Sequence, residues 1–198
     1  MTTKAELTKQ FIIETAAPIF NKHGYAATSM SILTNVTGLT KGAIYGNFEN
    51  KEDLAIKAFN YNIKRLFKAL MTSVENIESA TGKLFAIVDF YRDYYEYSKR
   101  FGGCPIINVG VDSNNQNTAL ISHVRKTIKR FHVYIADMID LGKSQGEMNE
   151  DLDSMEWSIR IDSMIQGATF MTTTMDDNRY VVDVMNQLDE IIKRELSK

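Results

Sequence analysis

Residues 28–48 constrain the fold of this chain more than any other segment. They read TSMSILTNVTGLTKGAIYGNF, two short stretches with helical apolar spacing on either side of Gly38. Ser29 (or Thr28) precedes the first stretch and Thr40 the second, and hydroxyl side chains at these places can cap helices. Gly38 supplies the positive φ that a tight turn needs. The pattern predicts a helix-turn-helix, which places its second helix in a DNA major groove.

The same periodicity divides the segment into packing positions and exposed positions. Leu33 and Val36 are predicted to face inward, and Ile44 and Phe48 to return to the core. The polar and small residues are candidate contacts to base edges and to flanking phosphates. The candidate DNA-binding residues are Thr28, Ser29, Thr40, Lys41, Gly42, Ala43, Tyr45, Asn47 and Lys51.

Charge is unevenly distributed along the chain, whose overall net charge is −2. Residues 1–51 contain five lysines against three glutamates, a net charge of +2, whereas the remainder contains 18 basic and 22 acidic residues, a net charge of −4. A basic first segment on an acidic body suits DNA contact by one end of the protein.

Helical periodicity continues along most of the chain, and strand-like alternation is almost absent. We expect an all-α fold of about nine helices, with a three-helix DNA-binding domain over residues 1–50 and a larger helical domain over residues 51–198. Pro18 removes a helical hydrogen bond, so we expect a kink there, or a helix that tolerates one, and not a straight rod. A single helix is expected over residues 79–100.

Other chemistries find little support in the residues. Cys104 is the one cysteine, which excludes an intrachain disulfide and fits a reducing, cytoplasmic location. The three histidines lack metal-ligand spacing, and no nucleophile elbow, phosphate loop or nucleotide fingerprint is present. We therefore expect no catalytic residue, no metal and no cofactor. No apolar run approaches membrane-spanning length, so no membrane contact is expected.

Several fixed spacings occur together over residues 6–66. They are carried by Ala16, Phe20, Gly24, Tyr25, Thr28, Ser29, Gly38, Leu39, Thr40, Lys41, Gly42, Ile44, Tyr45, Phe48, Lys51, Glu52, Asp53 and Leu54. With these residues the segment resembles the N-terminal domain of the TetR family of bacterial transcriptional regulators. The stretch from Gly103 to Asn108 resembles an AcrR-like branch of that family. The resemblance implies that residues 51–198 form a ligand-binding and dimerisation domain.

The resemblance also implies a homodimer formed through the last two helices, and the apolar pattern of the sequence agrees. Two amphipathic helices from each subunit would form a four-helix interface, although the same residues could pack within their own chain. Met155 and Ile159 continue the apolar stripe of the first of these helices, and Gly167 permits close helix approach. The candidate interface residues are Ile165, Ala168, Val181, Val184, Met185, Leu188, Ile191 and Ile192.

Aromatic and sulfur-containing side chains are frequent in the larger domain and would suit a pocket for a flat or apolar small molecule. For any one of these residues, ordinary core packing is the competing explanation. The candidate pocket residues are Phe67, Tyr91, Tyr94, Tyr95, Cys104, Phe131, Tyr134, Met138, Trp157, Met164 and Phe170.

These features predict a ligand-responsive transcriptional regulator and not an enzyme. As a repressor, it would bind a palindromic double-stranded DNA operator as a dimer and be released by a small, largely apolar or aromatic effector. An activator or architectural protein would use the same DNA-binding segment. A helical small-molecule-binding or enzymatic module without DNA binding is the remaining alternative.

Overall fold

The structure, a computed structural model, describes residues 3–198. This range contains ten α-helices: α1 (Lys4–Ala27), α2 (Met30–Thr37), α3 (Lys41–Tyr45), α4 (Lys51–Val74), α5 (Ala80–Arg92), α6 (Tyr94–Lys99), α7 (Pro105–Ser113), α8 (Thr118–Ser144), α9 (Ser154–Met175) and α10 (Arg179–Ile191). A π-helical turn, Ile192–Leu196, follows α10. Within the described range, β-type pairing is limited to an isolated bridge between Met148 and Ser197. The predicted all-α class is confirmed.

The helices pack as two compact units. The first unit comprises residues 3–66 and 100–126, and the second comprises residues 67–99 and 127–198. Helices α4 and α8 each contribute residues to both units. The assignment of residues 1–50 to DNA binding and of the rest to ligand binding and dimerisation remains a prediction.

In the first unit, α1 packs against α2 and α7, and α2 packs against α3. Thr3 and Glu6 form a capping box at the start of α1, with each side chain accepting a hydrogen bond from the backbone N–H of the other residue. The core of the unit includes Ile12, Ala16, Phe20, Leu33, Ile44, Phe48, Leu54, Ala58 and Phe59.

Helix α1 tolerates Pro18, one of the two outcomes expected from the sequence. Its backbone departs from helical geometry at Gly24 instead, where φ is 79° and ψ is 169°. Glycine adopts this conformation readily because it has no Cβ. The chain therefore changes direction four residues before Thr28, where the helix-turn-helix segment begins.

In the second unit, α10 packs on α9 and α5, and α6 packs on α5 and α9. The apolar core of this unit includes Leu84, Ile87, Val88, Tyr91, Phe131, Ile135, Ile139, Ile161, Ile165, Met185, Leu188, Ile192 and Leu196. The amphipathic periodicity of these helices thus supplies one continuous apolar interior.

The prediction of a single helix over residues 79–100 is wrong. The chain leaves the helix at Asp93, where φ is −98° and ψ is −1°, and the Asp93 N–H donates to the Tyr91 carbonyl. The rings of Phe90, Tyr91 and Tyr94 meet beside this break, with centroids 5.2–5.7 Å apart. The division raises the count from nine helices to ten.

The carboxylate of Glu147 binds the N-terminal end of α5. Its Oε2 accepts hydrogen bonds from the Thr81 N–H at 2.8 Å and from the Ser79 hydroxyl at 2.9 Å. The backbone hydrogen bond from Thr81 is the main cause that lowers the pKa of Glu147; desolvation opposes it, and the Ser79 hydroxyl adds a smaller lowering effect. A carboxylate at this position also interacts favourably with the helix dipole.

We expect Glu147→Gln to lower the melting temperature by a few degrees at pH 7, because the charge that favours these hydrogen bonds is lost. A carboxyl group whose pKa is lowered on folding stabilises the fold above its unfolded pKa, and this contribution disappears as the pH falls through the folded pKa. The difference between parent and variant should therefore vanish in acid. Thermal melts from pH 7 to pH 3 test this, with the exposed Glu75→Gln as control. A difference that persists in acid would contradict it.

Candidate nucleic-acid interface

Local hydrogen bonds define the helix-turn-helix segment. Ser29 caps α2 by accepting from the Ile32 N–H at 3.2 Å, and Thr40 caps α3 by accepting from the Ala43 N–H at 3.2 Å. Gly38 lies between the two helices in the left-handed conformation, with φ 67° and ψ 11°. The predicted caps and turn are confirmed.

A small apolar core lies where α2 and α3 pack against the rest of the first unit. Leu33, Ile44 and Phe48 are buried, as expected. Val36, however, is 37% exposed, and Thr37 takes the inward position one helical turn after Leu33. The Thr37 hydroxyl donates to the Leu33 carbonyl at 2.7 Å, so this buried polar group is satisfied within α2. The inward prediction for Val36 is wrong by one position.

The first turn of α3 is open to solvent. Thr40, Lys41, Gly42 and Tyr45 are exposed, and Ala43 is half-buried. The Lys41 ammonium lies 5.8 Å from the centre of the Tyr45 ring, within reach of a cation–π interaction. Helix α3 therefore presents a cation, a phenol and an exposed glycine backbone to solvent.

Two of the predicted DNA-contact residues form hydrogen bonds within the protein instead. Thr28 is fully buried, and its hydroxyl donates to the Gly24 carbonyl at 2.7 Å. This placement removes the hydroxyl from phosphate contact, whereas the neighbouring Ser29 is exposed. Asn47 is half-buried, and its Nδ2 donates to the Ala43 carbonyl at 2.9 Å near the end of α3. The side chains of Thr28 and Asn47 thus form hydrogen bonds that stabilise the helix-turn-helix segment itself.

Lys51, at the start of α4, is half-buried with its ammonium 4.4 Å from the centre of the Tyr25 ring. Burial lowers the pKa of Lys51, and the nearby Asp112 carboxylate opposes that shift. The ammonium therefore interacts with the Tyr25 ring and the Asp112 carboxylate and remains partly exposed to solvent. Lys51 keeps its place in the predicted contact set at the edge of the segment.

Most residues predicted to form the dimer interface face the interior of their own chain and not an outer surface. Ile165, Ala168, Val181, Met185, Leu188 and Ile192 are buried inside their own chain, and Val184 and Ile191 are half-buried. The outward surface of α9 instead exposes Met155, Ile159, Phe170 and Met171. Gly167 lies on the same surface, with open space where a Cβ would stand. An apolar stripe on a helix does not distinguish the face that packs inward from the face that another subunit would cover.

The predicted pocket residues divide into three groups. Phe67, Tyr91, Tyr94 and Phe131 meet in an aromatic cluster, with centroids 5.9 Å apart for Phe67 and Phe131 and 5.2 Å apart for Tyr91 and Tyr94. The remaining inner members of the second unit are buried or half-buried: Tyr95, Tyr134, Met138, Trp157 and Met164. Phe170 is exposed on α9, and Cys104 belongs to the first unit, so neither joins this cluster.

A network of hydrogen-bonded polar side chains joins α8 and α9 and was not among the predicted sites. The His132 Nε2 lies 2.8 Å from the Asp162 Oδ2, and the Gln166 Nε2 donates to the Asp162 Oδ1 at 2.9 Å. Asp162 is only 3% exposed. The sequence offers no signal for this hydrogen-bond network, because His132 and Asp162 are 30 residues apart and meet only through helix packing.

Within residues 3–198, no group of three or more His, Cys, Asp or Glu residues is placed to hold a metal ion. Among the helices of that range, none combines the length and the apolar character needed to span a membrane.

Comparisons with known proteins agree with the geometry. Residues 12–58 match the family described as bacterial regulatory proteins, tetR family, and residues 80–188 match the tetracyclin repressor-like C-terminal domain. The transcriptional regulator YxaF of Bacillus subtilis is 25% identical over 98% of this chain and 99% of its own.

Solved structures extend the similarity to the whole fold. A TetR regulator from Cytophaga hutchinsonii is 31% identical with a TM-score of 0.91, and the match covers 98% of this chain and 96% of that one. A TetR regulator from Chloroflexus aurantiacus is 28% identical with a TM-score of 0.93, over 98% of each chain. These relatives are transcriptional regulators and not enzymes. The helix-turn-helix, the helical second unit and the two family matches together place this chain in the TetR family of bacterial transcriptional regulators.

Proposed function

We propose that the protein is a cytoplasmic repressor that binds a palindromic DNA operator as a homodimer and is released by a small apolar or aromatic effector. The exposed first turn of α3 is the observation that carries this proposal. Lys41 can donate to guanine or phosphate, Gly42 allows close backbone approach, and Tyr45 can donate to a phosphate. The N-terminal end of a recognition helix is the part that contacts base edges.

Dimerisation supplies the second half of the operator contact. Two copies of α3 must lie about 34 Å apart to enter successive major grooves, which a twofold dimer can achieve. The exposed face of α9, made of Met155, Ile159, Gly167, Phe170 and Met171, is the surface that we assign to a second copy of this chain. Its apolar side chains favour burial, and Gly167 allows the two helices to approach closely.

The effector is assigned to the second unit on the strength of its aromatic cluster and of the buried Asp162, which pairs with His132 in the same unit. Rings of Phe67, Tyr91 and Phe131 offer flat apolar surface, and a few buried polar groups are what orients a ligand in such a site. The effector weakens DNA binding only to the extent that it prefers the protein conformation with low DNA affinity.

Lys41→Ala is expected to weaken specific DNA binding about tenfold, because it removes one cation from the contact surface. The slope of log affinity against log salt should become shallower by about one unit if Lys41 contacts phosphate. A duplex selected by the unmodified protein from a random pool, titrated by fluorescence anisotropy at several salt concentrations, provides the measurement.

Lys129→Ala is the matched control, because Lys129 is an exposed lysine on α8 outside the predicted contact set. It should leave both the affinity and the salt slope unchanged. Equal losses in both variants would point to a general charge effect. Selection of no duplex at all by the unmodified protein, even at low salt, would reject the proposed function.

A further inference from the structure

The C-terminal part of α1 is held by a segment that lies far away in the sequence. At the break in α1, the backbone N–H of Tyr25 donates to the Oδ2 of Asp112 at 2.7 Å, across 87 residues. Asp112 belongs to α7, outside the helix-turn-helix segment. The contact lies entirely within the first compact unit. A carboxylate from α7 thus caps the backbone at the point where α1 leaves helical geometry.

A second set of hydrogen bonds fixes the same two elements. The Asn21 Nδ2 donates to the carbonyls of Phe101 and Gly103, both at 2.8 Å. In return, the Asn108 Nδ2 donates to the carbonyl of Asn21 at 3.0 Å and to that of Gly102 at 2.8 Å. Asn21 is only 2% exposed, so these bonds replace contacts with water. The register between α1 and residues 101–112 is therefore well defined.

Close packing explains why the break and the carboxylate occur together. A Cβ added at Gly24 would lie 2.5 Å from the Asp112 Oδ1. The positive φ of Gly24 and the absence of its side chain both allow Asp112 to approach the backbone. The Asp112 carboxylate also attracts the Lys51 ammonium, which lies over the Tyr25 ring.

The capped residues lead directly into the DNA-binding segment. The Thr28 hydroxyl donates to the Gly24 carbonyl at 2.7 Å, and Ser29 then caps α2. On the other side, the Tyr25 ring stacks on Phe20 with centroids 6.4 Å apart. The direction in which the chain enters α2 therefore depends on how the peptide of Tyr25 is held.

We propose that Asp112 is a positioning residue for DNA recognition, which orients α2 and α3 by capping the Tyr25 N–H at the Gly24 break. Asp112 touches no DNA in this role, and the assignment rests on the proposed function. Loss of the carboxylate should change how well the two copies of α3 fit a specific site. Every cationic side chain of the segment remains present, Lys51 included, so non-specific binding should persist.

The test compares Asp112→Ala with the unmodified full chain on two DNA duplexes of equal length. One duplex is selected by the unmodified protein from a random pool, and the other is unrelated in sequence. We expect Asp112→Ala to weaken binding to the selected duplex about tenfold, as loss of a hydrogen bond to a charged group allows. Binding to the unrelated duplex at low salt should change by less than about twofold, so the ratio of the two affinities falls.

Two further variants separate positioning from general damage. Asp112→Asn keeps an acceptor oxygen and should retain most of the specificity ratio. Val111→Ala alters a neighbour on α7 that is 68% exposed, and it should change neither affinity. An unchanged ratio in Asp112→Ala, or equal losses on both duplexes, would overturn the assignment.

Amide hydrogen exchange gives a readout that needs no DNA. The Tyr25 amide should exchange at least about tenfold faster in Asp112→Ala than in the unmodified protein, whereas Asp112→Asn, which keeps an acceptor oxygen, should accelerate it much less. A helical amide elsewhere in α1 should change little in either variant. Unchanged protection of Tyr25 would overturn the capping role even if DNA binding is weakened. Failure of the unmodified protein to select any duplex would instead reject the proposed function, while the exchange result still decides whether Asp112 holds the break.

Discussion

Replacement of Phe170 by glutamate is expected to convert the proposed dimer to monomers and to abolish specific operator binding at concentrations that saturate the parent. Phe170 is 46% exposed on α9, so the substitution leaves the core of its own chain intact. In a dimer across this face, the glutamate carboxylate would lose water without gaining a partner. Such a penalty raises the dimer dissociation constant by at least about 100-fold.

Sedimentation equilibrium of Phe170→Glu at micromolar concentration measures the change, and anisotropy on the selected duplex measures its consequence. Val133→Glu is the control, because Val133 is 48% exposed on α8 and lies outside the proposed face. A dimer that survives Phe170→Glu but dissociates with Val133→Glu would move the interface to α8. Survival in both variants would exclude the exposed face of α9.

Leu33→Ala is expected to lower the free energy of unfolding by about 2–5 kcal/mol, because it removes a fully buried side chain from beneath the two short helices and leaves a cavity. Helices of eight and five residues have little stability of their own, so they depend on this packing. Denaturant unfolding monitored by circular dichroism provides the measurement. DNA binding should be lost at temperatures where the parent still binds.

The neighbouring Ile32→Ala is the matched control for Leu33→Ala. Ile32 is on the same helix but is 36% exposed, so its truncation should cost about 1 kcal/mol or less. Equal destabilisation by the two variants would mean that α2 is not anchored through Leu33. A large effect of Ile32→Ala alone would place the buried face of α2 one residue earlier.

The DNA-binding segment was the most predictable part of the protein. Its caps at Ser29 and Thr40 and its turn at Gly38 depend on residues within three or four positions of one another, so the local sequence encodes them. One local packing prediction was wrong. Val36 is exposed because Thr37 shares the inward face with Leu33. The pattern could not separate two adjacent positions that both border an apolar stripe.

For the second unit, the sequence predicted the helical class but not where each helix ends or which faces are buried. Helical periodicity indicated its helices but gave no sign of the break at Asp93, because apolar residues keep a helical spacing on both sides of it. Likewise, Val181, Met185 and Leu188 formed a convincing stripe that the structure places in the interior of the chain. Periodicity shows that a face is apolar, and only the packing of neighbouring helices shows what covers it.

The all-α class, the helix-turn-helix and the family could be predicted from the amino-acid sequence, because short-range capping, turn conformation and helical spacing carry that information. Which residues face outward on α9 became known only from the way the helices pack. The same packing brings Asp112 to the Tyr25 N–H and His132 to Asp162. These contacts join residues 30 or more positions apart. Their formation depends on how whole helices pack, which no local pattern specifies.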